Sequence, residues 1–198
     1  MDSFSRSALV RQVSSDITGP GTKSRILCHL QPWSDAFQRV IAARVASESD
    51  KKLRDLAQEH MKEELGHNEL LAKSRNGIDP PAWDPVIEAV SSWFIDQMTV
   101  LPGTLKAVLA HLVLEGSGMV FHQAGASAFK GNEYFALHDE ADQEHLEMGY
   151  KVLEHRNDWE VGEVVELLKK GWTMITLLCN RVAELSSPAR PSDPAIFQ

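Results

Sequence analysis

Two stretches of the chain share one skeleton. "HMKEELGH", residues 60–67, and "HDEADQEH", residues 138–145, each read histidine, three residues, a carboxylate, two residues, histidine. They hold four of the chain's eight histidines. An α-helix turns roughly 100° per residue, so positions i, i+4 and i+7 fall within about 60° of arc. His138, Asp142 and His145 are therefore expected on one stripe, as are His60, Glu64 and His67, with Glu63 beside them. A carboxylate and an imidazole three residues apart can reach one ion, or bridge two, from a single helix; helical bundles with paired metals use that unit twice.

A further carboxylate comes from "LVLEGSG". Glu115 follows an apolar run through Val108, Leu109, Leu112, Val113 and Leu114. A buried glutamate without a partner loses its charge or costs several kcal/mol, and a metal would explain it. Either His–carboxylate–His motif alone is more often the solvated face of an acidic helix. Two copies together with Glu115 turn the reading towards metal. Nitrogen and oxygen ligands suit iron, manganese or zinc, not copper(I) or an iron–sulfur cluster. The donors exceed what a single tetrahedral zinc needs, which suggests two ions bridged by carboxylates, with iron the first choice.

The elements that would carry these residues are all helical. No alternating run of β-branched residues bounded by turns occurs. A helix is expected after Pro32-Trp33, capped by Ser34 or Asp35, and one continuous helix from Asp50 to Asn76-Gly77. Others are expected over roughly 84–98, from Gly103 past Glu115 with a bend near Gly116 and Gly118, from Gly131-Asn132 to about His155, and over "EVGEVVELLKKGWTMITLLCNRVAEL". "IDPPAWDP" reads as a loop. The fold class is all-α, a single-domain bundle of about seven helices. Residues 1–24 are expected to be an N-terminal arm, 25–186 a helical metal-binding domain, and 187–198 a flexible tail.

Composition bounds the rest. The chain has 198 residues, 43% hydrophobic and 24% charged, with net charge −8. Length and composition are those of one globular domain, and no basic stripe offers itself to nucleic acid. Cys28 and Cys179 stand outside any CxxC, which excludes a thiolate metal site and fits a reducing compartment. The most apolar segment, "VLPGTLKAVLAHLVLEGSGMVF", is interrupted by Pro102, Lys106, His111 and Glu115 and reads as a buried helix, not a membrane span. The expected location is cytoplasmic.

"EELGH", "VLEG" and "HDEADQEH", in this order and spacing, resemble the metal helices of the heme-oxygenase-like di-iron oxidases, which bind no heme. The resemblance covers roughly residues 35–180. It implies a heme-oxygenase-like fold and two iron ions, with manganese as an alternative. The ligands it implies are His67, Glu115, His138, Asp142 and His145, completed by Glu64, with Glu63 next in line. Some members carry a glutamate seven residues before the first histidine, where this chain has His60; His60 is then an additional ligand, a partner behind the ligands, or the mark of an altered first site. The implied activity is dioxygen-dependent oxidation of an amino-acid-like or fatty-acid-like small molecule, by desaturation, N-oxygenation or carbon–carbon cleavage. Implied partners are that substrate, dioxygen and an external reductant; a homodimer is left open by the sequence.

Around the site, Tyr134 lies one turn before His138 and could enter a pocket. His111 and His122 flank Glu115 at helical spacing, and Arg39 and Arg44 are expected on a solvated face unless they hold a substrate carboxylate. Trp93, Phe94, Phe121 and Trp172 are expected in packing before any cavity. Four other readings compete. A ferritin-like di-metal protein would want a lone glutamate before each pair, and the first helix offers only Asp35 or Glu48. A metal-free TenA-like hydrolase would need a nucleophilic cysteine, with Cys179 in an apolar stretch. A true heme oxygenase leaves both motifs unexplained. A non-enzymatic helical interaction protein would bind metal only adventitiously.

Overall fold

The computed structural model describes residues 2–15, 19–75 and 83–188; the side chains of Asp2 and of residues 138–143 are not described. Among the described residues there are nine helices and no strand. They are α1 (Asp2–Ser5), α2 (Ala8–Val13), α3 (Pro20–Ser47), α4 (Lys51–Glu64), α5 (His67–Ser74), α6 (Pro85–Val100), α7 (Gly103–Gly125), α8 (Glu133–His155) and α9 (Val161–Ser186). Beyond the six helices placed from the sequence, the N-terminal segment adds α1 and α2, and the Asp50 helix is cut in two.

Several ends follow local chemistry. Asp50, Asp84 and Asn132 cap α4, α6 and α8 by accepting backbone N–H groups that no helical carbonyl reaches. Pro85 then takes the first turn of α6, where its missing N–H costs nothing. The start of α3 departs from expectation. It begins at Pro20 and runs through Pro32, although an interior proline costs about 3 kcal/mol. The core contacts of Ile26, Leu27 and Leu30 before it and of Val40 and Ile41 after it, all buried, outweigh that cost.

The expected helix over the first motif breaks at Gly66, whose φ of 90° lies in the left-handed region. A glycine in this conformation just past a helix end is a common stop. It turns Leu65 outward to 72% exposure and restarts the chain as α5 at His67. His60 and Glu64 thus share a face of α4, while His67 belongs to another helix. The single stripe expected for the three is corrected accordingly.

The centre of the bundle is α7, packed against α8, α9 and α2 and meeting α4. It is long and apolar enough to cross a membrane, yet 83% of its most apolar window is buried inside the bundle, so it is the core helix. Just before Gly116, residues Leu109–Glu115 form a π-helical turn within it. Such widened turns are uncommon and concentrate at functional sites. Two glycines admit the neighbouring helices to it. A Cβ on Gly149 of α8 would lie 2.8 Å from the His111 Cβ, and one on Gly171 of α9 would lie 2.9 Å from the Leu109 Cδ1.

The segment expected as an N-terminal arm is packed where it is described. Phe4, Leu9, Val10 and Val13 are buried, and Phe4 meets Trp172 of α9 with ring centroids 5.3 Å apart. The Asn76-Gly77 stop, the first part of the "IDPPAWDP" loop and the tail from residue 189 lie outside the described residues.

Candidate metal centre

α4 brings His60 and Glu64, the π turn of α7 brings Glu115, and α8 brings His145, each 4% exposed or less. Their ligand atoms all lie within 4.8 Å of one another. His60 Nε2 is 2.9 Å from Glu115 Oε1, and His145 Nδ1 is 3.1 Å from Glu115 Oε2. On its other edge His145 Nε2 donates to Glu63 Oε2 at 2.9 Å. His67 Nδ1 donates to Glu64 Oε2 at 2.8 Å. The second oxygen, Glu64 Oε1, is buried without a hydrogen-bond partner; His145 Nδ1 stands 3.5 Å away, outside hydrogen-bonding geometry.

Burial opposes the charge on Glu115, but His60 and His145 against it outweigh burial and hold the carboxyl well below the ordinary range. Burial likewise opposes protonation of His145, yet Glu115, Glu64 and Glu63 push it up to about 9. The imidazolium thus occupies the position where a cation is wanted. The His60 and His145 rings, the Glu64 and Glu115 carboxyl groups and one buried oxygen without a donor are a donor set that fits a metal ion, since a buried carboxylate oxygen is costly when nothing satisfies it.

Behind the cluster lies Arg44, only 1% exposed, which corrects the expectation of a solvated face. Its Nη1 stands 3.0 Å from His111 Nε2 and 3.4 Å from His60 Nδ1. Burial draws the guanidinium down to about 10, against the pull of Glu48 and Glu115, so it stays charged at neutral pH. For His111, burial first and the Arg44 charge second push the imidazole well below its ordinary value, and it is neutral.

In front lies a cavity of about 90 Å³, reached by Glu64, His67 and Glu115 and walled by Trp33, Phe37, Phe121 and Tyr134 among others. That space exceeds the roughly 10–15 Å³ that one water needs, so it admits a small group. Phe121 and Tyr134 line it, whereas Phe94 is fully buried in the core. His122 lines it as well, edge-on to Tyr134 with centroids 5.5 Å apart. Cys179 forms part of the same wall, and burial pushes its thiol up to about 12.

Of the residues expected to ligate, Glu64, Glu115 and His145 come together with His60, and His67 reaches the group through Glu64. Glu63 meets the far side of His145 and is 43% exposed. The α8 backbone carries His138 and Asp142, but their side chains lie outside the described residues. The burial of Arg44 is not evident in the sequence. The available signal was an arginine within the apolar "VIAARVA" of α3.

A protein of Rickettsia prowazekii (strain Madrid E), called uncharacterized protein RP592, is 35% identical over 168 residues, 83% of this chain and 81% of that protein. The chain belongs to the RP592 family. No protein-family model matches it. Solved structures share the family's architecture at low identity. A TenA homologue of Pseudomonas syringae pv. tomato superposes with a TM-score of 0.70 at 13% identity, over 92% of this chain and 88% of that one. A TenA homologue of Pyrococcus furiosus gives 0.71 at 10% identity, over 90% of each chain. A domain from Shewanella denitrificans OS217 described as having a heme oxygenase-like fold gives 0.69 at 14% identity, over 93% of this chain and 86% of that one. This RP592-family chain therefore has the heme-oxygenase-like, TenA-like helical fold.

Proposed function

We propose that this protein is a non-heme di-iron oxidase or oxygenase that uses dioxygen to oxidise a small molecule. The observation that carries the reading is the convergence of His60, Glu64, Glu115 and His145 within 4.8 Å, buried, with Glu64 Oε1 unsatisfied, beside an apolar cavity. Glu64, Glu115 and His145 would hold metal, joined by His67 and by His138 and Asp142 from α8; manganese is the alternative ion. When bound, iron supplies the electrons that dioxygen chemistry requires.

The chain's own residues supply the setting. Glu63 accepts from His145 Nε2, leaving Nδ1 towards Glu64 and Glu115, an outer carboxylate that orients a ligating imidazole. Trp33, Phe37 and Phe121 keep bulk water from the cavity and favour a substrate part without charge. The metal-binding residues aside, the polar side chains on the wall include Ser34, Gln38, Ser117 and His122, which can orient such a group by hydrogen bonds. An external reductant and dioxygen complete the partners.

A metal-free TenA-like hydrolase is the second reading, favoured by Cys179 on the cavity wall. A thiol raised to about 12 carries almost no thiolate at neutral pH, which weighs against it.

The test is anaerobic loading with ferrous iron, metal analysis and Mössbauer spectroscopy, then oxygen uptake. About two irons per chain and oxygen-dependent oxidation of both are expected. A protein that takes up no iron overturns the proposal.

A further inference from the structure

His60 stands where the resemblance puts a glutamate ligand in some members, and its surroundings decide what it does. An arginine guanidinium has five N–H donors and no acceptor. Arg44 Nη1 carries two of those hydrogens and faces two imidazole nitrogens, His111 Nε2 at 3.0 Å and His60 Nδ1 at 3.4 Å. Both nitrogens must then present lone pairs. For His60 the ring proton is thereby confined to Nε2, which lies 2.9 Å from Glu115 Oε1 and donates to it. A nitrogen that carries a proton has no lone pair for a metal. To ligate through Nε2, His60 would have to move its proton to Nδ1, against the N–H of a buried cation.

We propose that His60 is a positioning residue and not a metal ligand: Arg44 fixes it as an Nε2–H donor that holds Glu115 Oε1, so that Glu115 meets a metal through Oε2. The consequence for metal rests on the di-iron reading; the hydrogen-bond assignment does not. Two further features agree with it. The His60 ring is wedged between those of His111 and His145, with centroids 4.8 Å from each, and is 1% exposed, so it has little room to turn. Glu115 Oε2, the oxygen that His60 does not hold, faces His145 Nδ1, and the same nitrogen stands 3.5 Å from the unsatisfied Glu64 Oε1.

The experiment is a long-range proton–nitrogen correlation spectrum of the full chain labelled with ¹⁵N-histidine, first metal-free and then loaded with zinc as a diamagnetic probe. His60 is expected to show a protonated Nε2 and an unprotonated Nδ1 in both states. A proton on Nδ1 in the metal-free protein, or zinc on Nε2 in the loaded one, overturns the proposal. Variants give a second readout in metal affinity. His60→Gln keeps an N–H near Oε1 and should retain metal, whereas His60→Leu should bind it about 10–100-fold more weakly, the usual effect of losing a group that orients a ligand. Loss of metal in His60→Gln equal to that in His145→Gln refutes the positioning role. Arg44→Met, if it folds, should release the His60 proton to both nitrogens; an unchanged pattern refutes the part given to Arg44. Should the wild-type chain bind no metal, the di-iron reading fails, while the metal-free spectrum still decides the state of His60.

Discussion

Gly149→Ala tests whether close approach of α8 to the π turn holds the centre together. The new Cβ would lie 2.7 Å from the Leu112 Cδ2, 2.8 Å from the His111 Cβ and 3.0 Å from the Leu112 Cγ. Cβ atoms do not tolerate the first two distances, so helix or side chains must shift. Overpacking of this kind costs about 1–3 kcal/mol. Alanine returns about 1 kcal/mol through its higher helix propensity. The net loss is up to about 2 kcal/mol, or a Tm lowered by up to about 8 °C for a domain of this size. Gly162→Ala is the matched control, because it lies within α9 with nothing within 4 Å of its added Cβ. There only the propensity gain remains, and Tm should rise by a few degrees. Calorimetry of both variants measures the pair. His111 and Glu115 sit on the displaced turn, and His145 is one turn from Gly149 on α8. Gly149→Ala should therefore also weaken metal uptake, whereas Gly162→Ala should leave it unchanged. If the two variants are stabilised alike, α8 does not press on the π turn as described, and the reasoning fails.

Glu115→Gln and His138→Ala should each lower iron content at least tenfold with helicity retained, measured by metal analysis and circular dichroism; unchanged iron removes that residue from the ligand set. The hydrogen bond from Arg156 draws Asp158 down from 3.8 to about 2. A carboxyl with a depressed folded value stabilises fully above the unfolded value and loses that contribution as pH falls through the folded one. Arg156→Ala should accordingly lower Tm near neutrality, with the gap to wild type closing between pH 4 and 2; a gap independent of pH assigns the effect elsewhere. Cys179→Ala should leave iron uptake and oxygen consumption unchanged, and loss of turnover without loss of iron would favour the hydrolase reading.

The all-helical class is legible in the sequence, because 3.6-residue periodicity and the absence of alternating runs are local properties. The sequence also set the ends of α6 and α8 through Asp84 and Asn132, whose side chains cap their own helices. Glu115 was legible as a buried charge from the apolar run before it, and the repeated carboxylate-x-x-His unit pointed to His145 and Glu64. Other features are decided by elements distant in the chain. α3 survives Pro32 only through the core packed on its apolar side, and α1 and α2 are too short to show a period but bury Phe4 and Leu9. Gly66 could be read as a stop, but that it separates His67 from His60 and Glu64 shows only in the backbone. Arg44 looks like many helical arginines. Its burial against His60, 16 positions on, and His111, 67 positions on, exists only when α3, α4 and α7 are packed together. Periodicity reports which face of a helix is apolar, whereas the partner of a buried polar group is chosen by tertiary contact, and at this site those partners set what each imidazole faces.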